Sequence, residues 1–310
     1  MRSTPALYKN VVQNKKFQES LMISFSGAGH LLAYHLGVAE AFLLRSKNIP
    51  PVIAACGSSS GAIVAVVYCH LGHRIHEYVE RFLSDSGNAY KHLKDMLHEE
   101  EAQLTSNFGN TNPTQQPILH IATTKCIDGS MKLWSFDRTN QTLYKTISSH
   151  WNIDPMLKAV KASCKIPMSF HPFDCLDMNG MKNSSYPSEE GIRMEDGLFH
   201  VDGGIAAPAP LAVTPGDNNS SSIPIIVSPI SYSSTSQNNQ LKRISPPDTS
   251  WRLIPIQNIQ CKAGFQVRPS IQNLKTLRVA GGITNSSELE TWYGLGKENA
   301  EQQLQKWFDK

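Results

Sequence analysis

At 310 residues, with 29 basic and 26 acidic side chains giving a formal charge of +3, the chain can bury one large α/β core. Its charge is too balanced and scattered to form an electrostatic footprint for nucleic acid. Six cysteines (Cys56, Cys69, Cys126, Cys164, Cys175, Cys261) without a CxxC pair or regular spacing argue against a zinc site or disulfide framework, and for a reducing compartment.

The first twenty residues lack the continuous apolar run of a signal peptide, so secretion is not expected. The run LMISFS at 21–26 predicts a short buried strand ending in Gly27-Ala28-Gly29, and the apolar segment 30–47 predicts a helix packed on a sheet. Pro50 and Pro51 stop that helix, because proline lacks an amide donor and restricts the residue before it. Residues 52–56 then predict a second buried strand, 57–61 a sharp turn and 62–71 a second helix. The GSSSG turn interrupts this apolar stretch, so it does not read as a membrane span. A strand, helix and strand of this size form a crossover unit, which places the two strands parallel with their carboxyl ends side by side.

The charge-rich stretch 78–101 predicts one or two exposed helices. ILHIATTKCI and MKLWSFD flank Asp128-Gly129-Ser130 and predict a hairpin. Residues 154–164 predict a short helix, with Asp154 as a cap candidate and Pro155 at its first position. A polar excursion over 175–199 leads into a strand carrying Phe199, His200 and Val201, which Asp202-Gly203-Gly204 closes. Within the Ser-, Asn- and Pro-rich stretch 216–250 only IPIIV reads as strand. A final helix is announced by Ser287 and Glu290 as a capping pair, with Leu289, Trp292, Tyr293, Gly296, Ala300, Leu304 and Trp307 on one side.

Chemistry concentrates at three glycine sites. Gly57-Ser58-Ser59-Ser60-Gly61 is a GxSxG between an apolar strand and an apolar helix, the context in which the central serine sits in a strained turn at a helix N-terminus. Gly57 and Gly61 let neighbouring backbone pass without a Cβ clash. Gly27, Ala28 and Gly29, on the neighbouring strand end, can aim amides at an oxyanion formed on a carbonyl that Ser59 attacks. A dinucleotide loop is disfavoured: its third glycine falls at Leu32, and Cys56 stands where the second strand would end in an acid.

A serine needs a base, and Asp202 is the candidate, since Gly203 and Gly204 let its carboxylate approach without obstruction. A triad in the α/β-hydrolase order needs a histidine after its acid, yet the last histidine is His200. It shares a strand face with Asp202, which leaves a helper role open. His30, His35, His70, His73 and His76 lie on predicted helices and read as structural or surface residues, with no pattern that makes a metal site.

Three segments together resemble the patatin-like phospholipase family: SFSGAGHLLAYHLGVAEAFL at 24–43, CGSSSGA at 56–62 and VDGGIAAPAPL at 201–211. KASCKIPMSFHPF at 161–173 looks like that family's segment ahead of its aspartate. YHLGVA at 34–39, IVSPISYSSTSQ at 226–237 and the final helix look like its adipose triglyceride lipase branch. The resemblance implies a three-layer α/β/α sandwich with a mostly parallel central sheet. Its domain would span 20–235, between an N-terminal segment (1–19) and a loop-rich tail with a docking helix (236–310). It further implies a Ser59–Asp202 dyad without histidine, an oxyanion hole from Gly27, Ala28 and Gly29, and no cofactor or metal. The substrate would be a lipid ester at a membrane or lipid-droplet surface, met by a cytoplasmic protein attached peripherally. Two departures are Leu32, where the loop usually has glycine, and Ala206-Ala207-Pro208, where the family is more polar. The rival class is a catalytically silent lipid-binding or scaffold protein on the same fold.

Overall fold

The structure, a computed structural model, describes residues 19–106, 116–137, 153–168, 187–207, 209–211, 222–229, 242–245 and 278–309. The expected crossover is present. β1 (Ser20–Phe25) leads through a 3-10 turn into α1 (Leu32–Leu44), then β2 (Val52–Ser58) and α2 (Ser60–His70), with β1 and β2 parallel neighbours. Both helices are buried almost all round, which their composition required: neither has a polar face to offer water.

α3 (Ile75–Ser84) and α4 (Ala89–Ser106) occupy the charge-rich stretch, and they are less exposed than their charge suggests. Tyr78, Phe82, Leu93, Met96 and Leu97 are buried against the core. Arg74 and Arg81 bridge Glu77 on α3 and Glu99 on α4 across the outer face. Beyond them, β3 (Ile118–Lys125) and β4 (Met131–Phe136) form the predicted hairpin. α5 (Asp154–Ser163) starts one residue earlier than a cap at Asp154 would allow: Ile153 is its N-cap, and Asp154 sits in the first turn where its charge suits the helix dipole.

β5 (Ile192–Arg193) and β6 (Phe199–Val201) precede a one-turn helix, α6 (Gly203–Ala206); β7 (Ser222–Val227), β8 (Lys242–Ile244) and α7 (Ser286–Phe308) complete the described elements. The sheet order is β5-β6-β3-β2-β1-β7-β8, with β4 paired to β3. β3, β2, β1, β7 and β8 are mutually parallel, while β4, β5 and β6 bring the antiparallel pairings. This is the layered α/β architecture with a mostly parallel sheet that the resemblance implied. β8 is the unexpected strand; three residues within a polar stretch carry no readable period.

The capping pair of α7 is also displaced. Asn285, in extended conformation, accepts the Glu288 amide at 2.9 Å, two residues before the Ser287 start the sequence suggested. α7 lies along α1 at close range. A Cβ on Gly37 would overlap the Tyr293 carbonyl oxygen, and one on Gly296 would overlap that of Tyr34. Across this contact Glu40, 1% exposed, accepts hydrogen bonds from the Tyr293 hydroxyl and from Lys297 Nζ at 3.2 Å, while His76 of α3 approaches it at 3.2 Å. Asn299 donates to the Tyr34 hydroxyl at 3.2 Å.

Two glycines of this helix pair separate packing from propensity. Gly37→Ala should lose about 1–3 kcal/mol, because its methyl meets backbone that cannot yield. Gly294→Ala, on the open face of α7 with nothing within 4 Å, should gain up to about 1 kcal/mol from helix propensity. Urea unfolding midpoints of the two variants test this, and shifts of the same sign would contradict the close packing of α1 on α7.

Candidate active site

The sheet's parallel core brings the carboxyl ends of β1 and β2 together, and the junction of β2 with α2 is its tightest point. Ser59 there has φ 51° and ψ −131°, the one positive φ of a non-glycine residue among those described. Such a conformation costs about 1–3 kcal/mol and persists only where surroundings impose it. The surroundings are identifiable. A Cβ on Gly57 would overlap the Gly61 carbonyl, and one on Gly61 would overlap the carbonyl oxygens of Phe25 and Ser26. The Ser59 amide donates to Ser163 Oγ at 2.8 Å, and Ser163 Oγ donates to the Ala122 carbonyl at 2.6 Å. One hydroxyl therefore ties the turn to α5 and β3. Immediately after Ser59 begins α2, whose amino end carries partial positive charge toward the serine.

The glycine loop after β1 lies against this turn. A Cβ on Gly27 would stand 3.2 Å from Ser59 Cβ, so the Gly27 backbone is within contact range of the serine, and no described residue accepts its amide hydrogen. The Ala28 amide donates to Ser60 Oγ at 3.0 Å, which fastens the loop to the start of α2 and commits that donor. Gly29 takes φ +55°, and its Cα faces the Ala280 carbonyl, not the serine. Of the three predicted oxyanion residues, Ala28 has its amide committed to Ser60, and Gly27 stands beside Ser59 with an amide that no described residue accepts.

Asp202 directly follows β6 as the N-cap of α6 and is 5% exposed. Its backbone is held twice, by its amide donating to the Lys165 carbonyl at 2.9 Å and by Thr124 Oγ1 donating to its carbonyl at 2.7 Å. Its Oδ1 accepts the Gly204 amide at 2.7 Å. The Ser59 hydroxyl faces the carboxylate and favours its charged form, yet Oδ2 has no hydrogen-bond partner among the described residues. The two groups face each other without a closed hydrogen bond. Burial dominates the electrostatics and pushes the carboxyl up to about 6, against the smaller opposing effects of Ser59 and Gly204. Gly203 lets β6 close on β3, since a Cβ there would overlap the Ala122 carbonyl; Gly204, 3.8 Å from Ser59 Cβ by the same measure, completes the wall between the two residues.

The structure does not bring His200 to Ser59. Its Nδ1 pairs with Thr123 Oγ1 at 2.9 Å and its Nε2 with both Asp196 oxygens at 3.2 Å, while its ring stands edge-on to Trp134. His35 is buried, with its charged form suppressed to about 3 by desolvation, and contacts Ser26 Oγ at 3.5 Å. His73 pairs with Glu100, and His30 packs against Gly282. Among the described residues no group of three or more His, Cys, Asp or Glu could hold a metal ion, and Cys56, Cys69, Cys126 and Cys164 form no disulfide there. Cys175 and Cys261 lie outside the described residues. Sequence reasoning missed Ser60, Thr124 and Ser163, which anchor the loop, the acid and the turn. Ser163 lay inside the family-like segment 161–173, but only the folded contact distinguishes it from any other helical serine.

Comparison with known proteins adds a family match: the profile described as patatin-like phospholipase covers residues 23–214. No curated protein matches the chain. Among solved structures, VipD from Legionella pneumophila aligns at a TM-score of 0.35 and 10% identity over 92% of this chain and 67% of that one. The heterodimeric ExoU–SpcU complex of the Pseudomonas aeruginosa type III secretion system aligns at 0.33 and 13% identity over 92% of this chain and 52% of that one. The chain therefore spans about half the length of the latter, and neither likeness is close enough to carry an argument.

The buried acid has a thermodynamic signature. Asp202 is protonated in folded and unfolded chains below its ordinary value of 3.8, so it costs nothing there; as pH rises through about 6 the fold must hold its charge in a dry site. Asp202→Asn removes that burden while keeping an acceptor for Gly204. The variant should match wild-type stability near pH 3.5 and exceed it by up to about 3 kcal/mol at pH 7, at about 1.4 kcal/mol per pH unit of displacement. Denaturant unfolding at both pH values measures it; an equal difference at both would refute a raised carboxyl.

Proposed function

The chain belongs to the patatin-like phospholipase family, and on that premise we propose that it cleaves carboxylic esters of lipids through an acyl-enzyme on Ser59, with Asp202 as base. At the level of the family the activity is lipid ester hydrolysis; the dyad, the oxyanion donors and the substrate are our proposal. The observation that carries it is the half-buried Ser59 on its strained turn, facing a buried carboxylate whose Oδ2 is unpartnered among the described residues.

Ser59 Oγ attacks the ester carbonyl carbon as its proton passes to Asp202 Oδ2. The carbonyl oxygen, now negative, is met by the Gly27 amide and the positive end of α2; one such donor is worth about 3 kcal/mol in the transition state. Collapse expels the alcohol, which takes the proton from Asp202. Water then attacks the acyl carbon and gives a proton to Asp202, which passes it to Ser59 Oγ as the acyl bond breaks and the fatty acid leaves. Histidine has no part in the cycle, since one carboxylate serves as base and acid in turn. Burial suits Asp202 to both roles: pushed up to about 6, it is a stronger base than an exposed aspartate and still ionised at neutral pH.

The substrate lies at a membrane or lipid-droplet surface, which a cytoplasmic protein would reach peripherally; no helix among the described residues is long and apolar enough to cross a membrane. The likeness of 34–39 to the adipose triglyceride lipase branch keeps acylglycerols beside phospholipids as substrates; most of the second branch-like segment, 226–237, lies outside the described residues.

Release of fatty acid from phospholipid, galactolipid and triacylglycerol emulsions should be abolished in folded Ser59→Ala and Asp202→Ala variants. For a soluble monomeric ester, kcat/KM should rise with pH through about 6 and then level, because the ionised carboxylate is the active form. Activity that survives in Asp202→Ala would reject Asp202 as base. Wild-type protein that binds lipid but hydrolyses none of the panel would favour the scaffold reading.

A further inference from the structure

Five large apolar side chains stand out in solvent among the described residues: Leu44 (47% exposed), Ile127 (67%), Ile166 (61%), Met168 (90%) and Ile283 (67%). Their placement is not even. Leu44 ends α1, at the sheet edge away from Ser59. The other four occupy segments fastened to the loops that frame the serine.

Ile127 lies just past the carboxyl end of β3, in the turn where the Cys126 amide donates to the Phe199 carbonyl at 2.8 Å. Ile166 and Met168 follow Lys165, whose carbonyl holds the Asp202 amide at 2.9 Å. Ile283 closes a turn by donating its amide to the Arg278 carbonyl at 3.0 Å; within that turn a Cβ on Gly282 would lie 2.8 Å from the His30 ring, and Ala280 meets Gly29. The apolar points therefore surround the carboxyl edge on the sides of β3, Asp202 and the glycine loop. Lys161, in the last turn of α5, and Lys165 are exposed at the same corner and make no ion pair with the described residues. Isolated exposed aliphatic residues are ordinary, but four of five at the rim of one site, with unpaired cations beside them, describe a surface.

We propose that Ile127, Ile166, Met168 and Ile283 form the face on which the protein rests against an anionic phospholipid bilayer, with Lys161 and Lys165 over its headgroups. The choice of lipid over a protein partner rests on the reading of the site as a lipid ester hydrolase, and the lysines choose an anionic surface over a neutral one. Docked in this way, the mouth between Gly27 and Asp202 opens onto the bilayer, and an acyl ester reaches Ser59 without crossing water.

Binding is measured with the full chain carrying Ser59→Ala, so that products do not alter the vesicles. Co-sedimentation with phosphatidylcholine vesicles, with and without phosphatidylserine, is compared among the parent, I166E/M168E, K161E/K165E and L44E. The parent should bind the phosphatidylserine vesicles. I166E/M168E should bind at least about ten-fold more weakly, K161E/K165E should lose the preference for phosphatidylserine, and L44E should match the parent. Circular dichroism establishes that each is folded. With Ser59 restored, I166E/M168E should lower the ratio of vesicle to soluble-ester hydrolysis by a similar factor. A parent that binds no vesicle, rim variants that bind as the parent does, or an equal loss in L44E would each overturn the proposal. Rim-dependent binding by a protein that hydrolyses no ester would instead uphold this face and reject the Ser59 chemistry.

Discussion

The positive φ of Ser59 is an unfavourable backbone state held in place by close approaches on every side, and much of the surrounding sequence makes sense as the means of holding it. α2 can start immediately after β2 only if Gly57 and Gly61 pass each other and the end of β1 without side chains. The amide left over at the turn is taken by Ser163. That hydroxyl also reaches the Ala122 carbonyl, so the serine turn, α5 and β3 share one hydrogen-bonded point. The small residues here are a packing requirement, and the strain they impose is what projects the Ser59 side chain clear of the sheet.

Asp202 completes the site by a different economy. Its backbone is fixed at both amide and carbonyl, and only one carboxylate oxygen finds a partner among the described residues. A buried carboxylate with an open oxygen disfavours the folded state, and its basicity follows from the same desolvation. Rigidity of the peptide around it keeps that open oxygen from swinging to a better partner. Stability and basicity are thus set against each other at a single atom.

Much of this was legible in the chain. Continuous apolar runs punctuated by Pro50, Pro51 and the glycine turns delimited β1, α1, β2 and α2 to within a few residues, and DGS at 128–130 located the hairpin. Ser59 and Asp202 could be singled out because GxSxG stands between an apolar strand and an apolar helix, and Asp-Gly-Gly closes a strand downstream of two other glycine sites. What stayed hidden depends on partners distant in sequence. The apolar stripe of Tyr78, Phe82, Leu93 and Met96 was masked by the charged Glu80, Arg81, Lys94 and Asp95 between them. Asn285 and Ser287 each have a glutamate three residues on, so the pattern could not decide which begins α7; the extended backbone at Asn285 does. Ser60, Thr124 and Ser163 are ordinary hydroxyl residues until the fold sets a carbonyl or amide opposite each.

The family match ends at residue 214, whereas β7 begins at Ser222 and pairs with β1 along all six of that strand's residues. The sheet thus places a late strand directly beside its earliest one. A ribosome that has released only the first 214 residues has made the serine and the acid, but β1 then presents a bare edge of amides and carbonyls with the apolar Leu21, Ile23 and Phe25 upon it. Until β7 emerges, that edge is a template for any strand in reach. The family-matched segment and the cooperative folding unit consequently have different boundaries, and an expression fragment trimmed at residue 214 would be prone to aggregate through β1 rather than fold into a smaller domain.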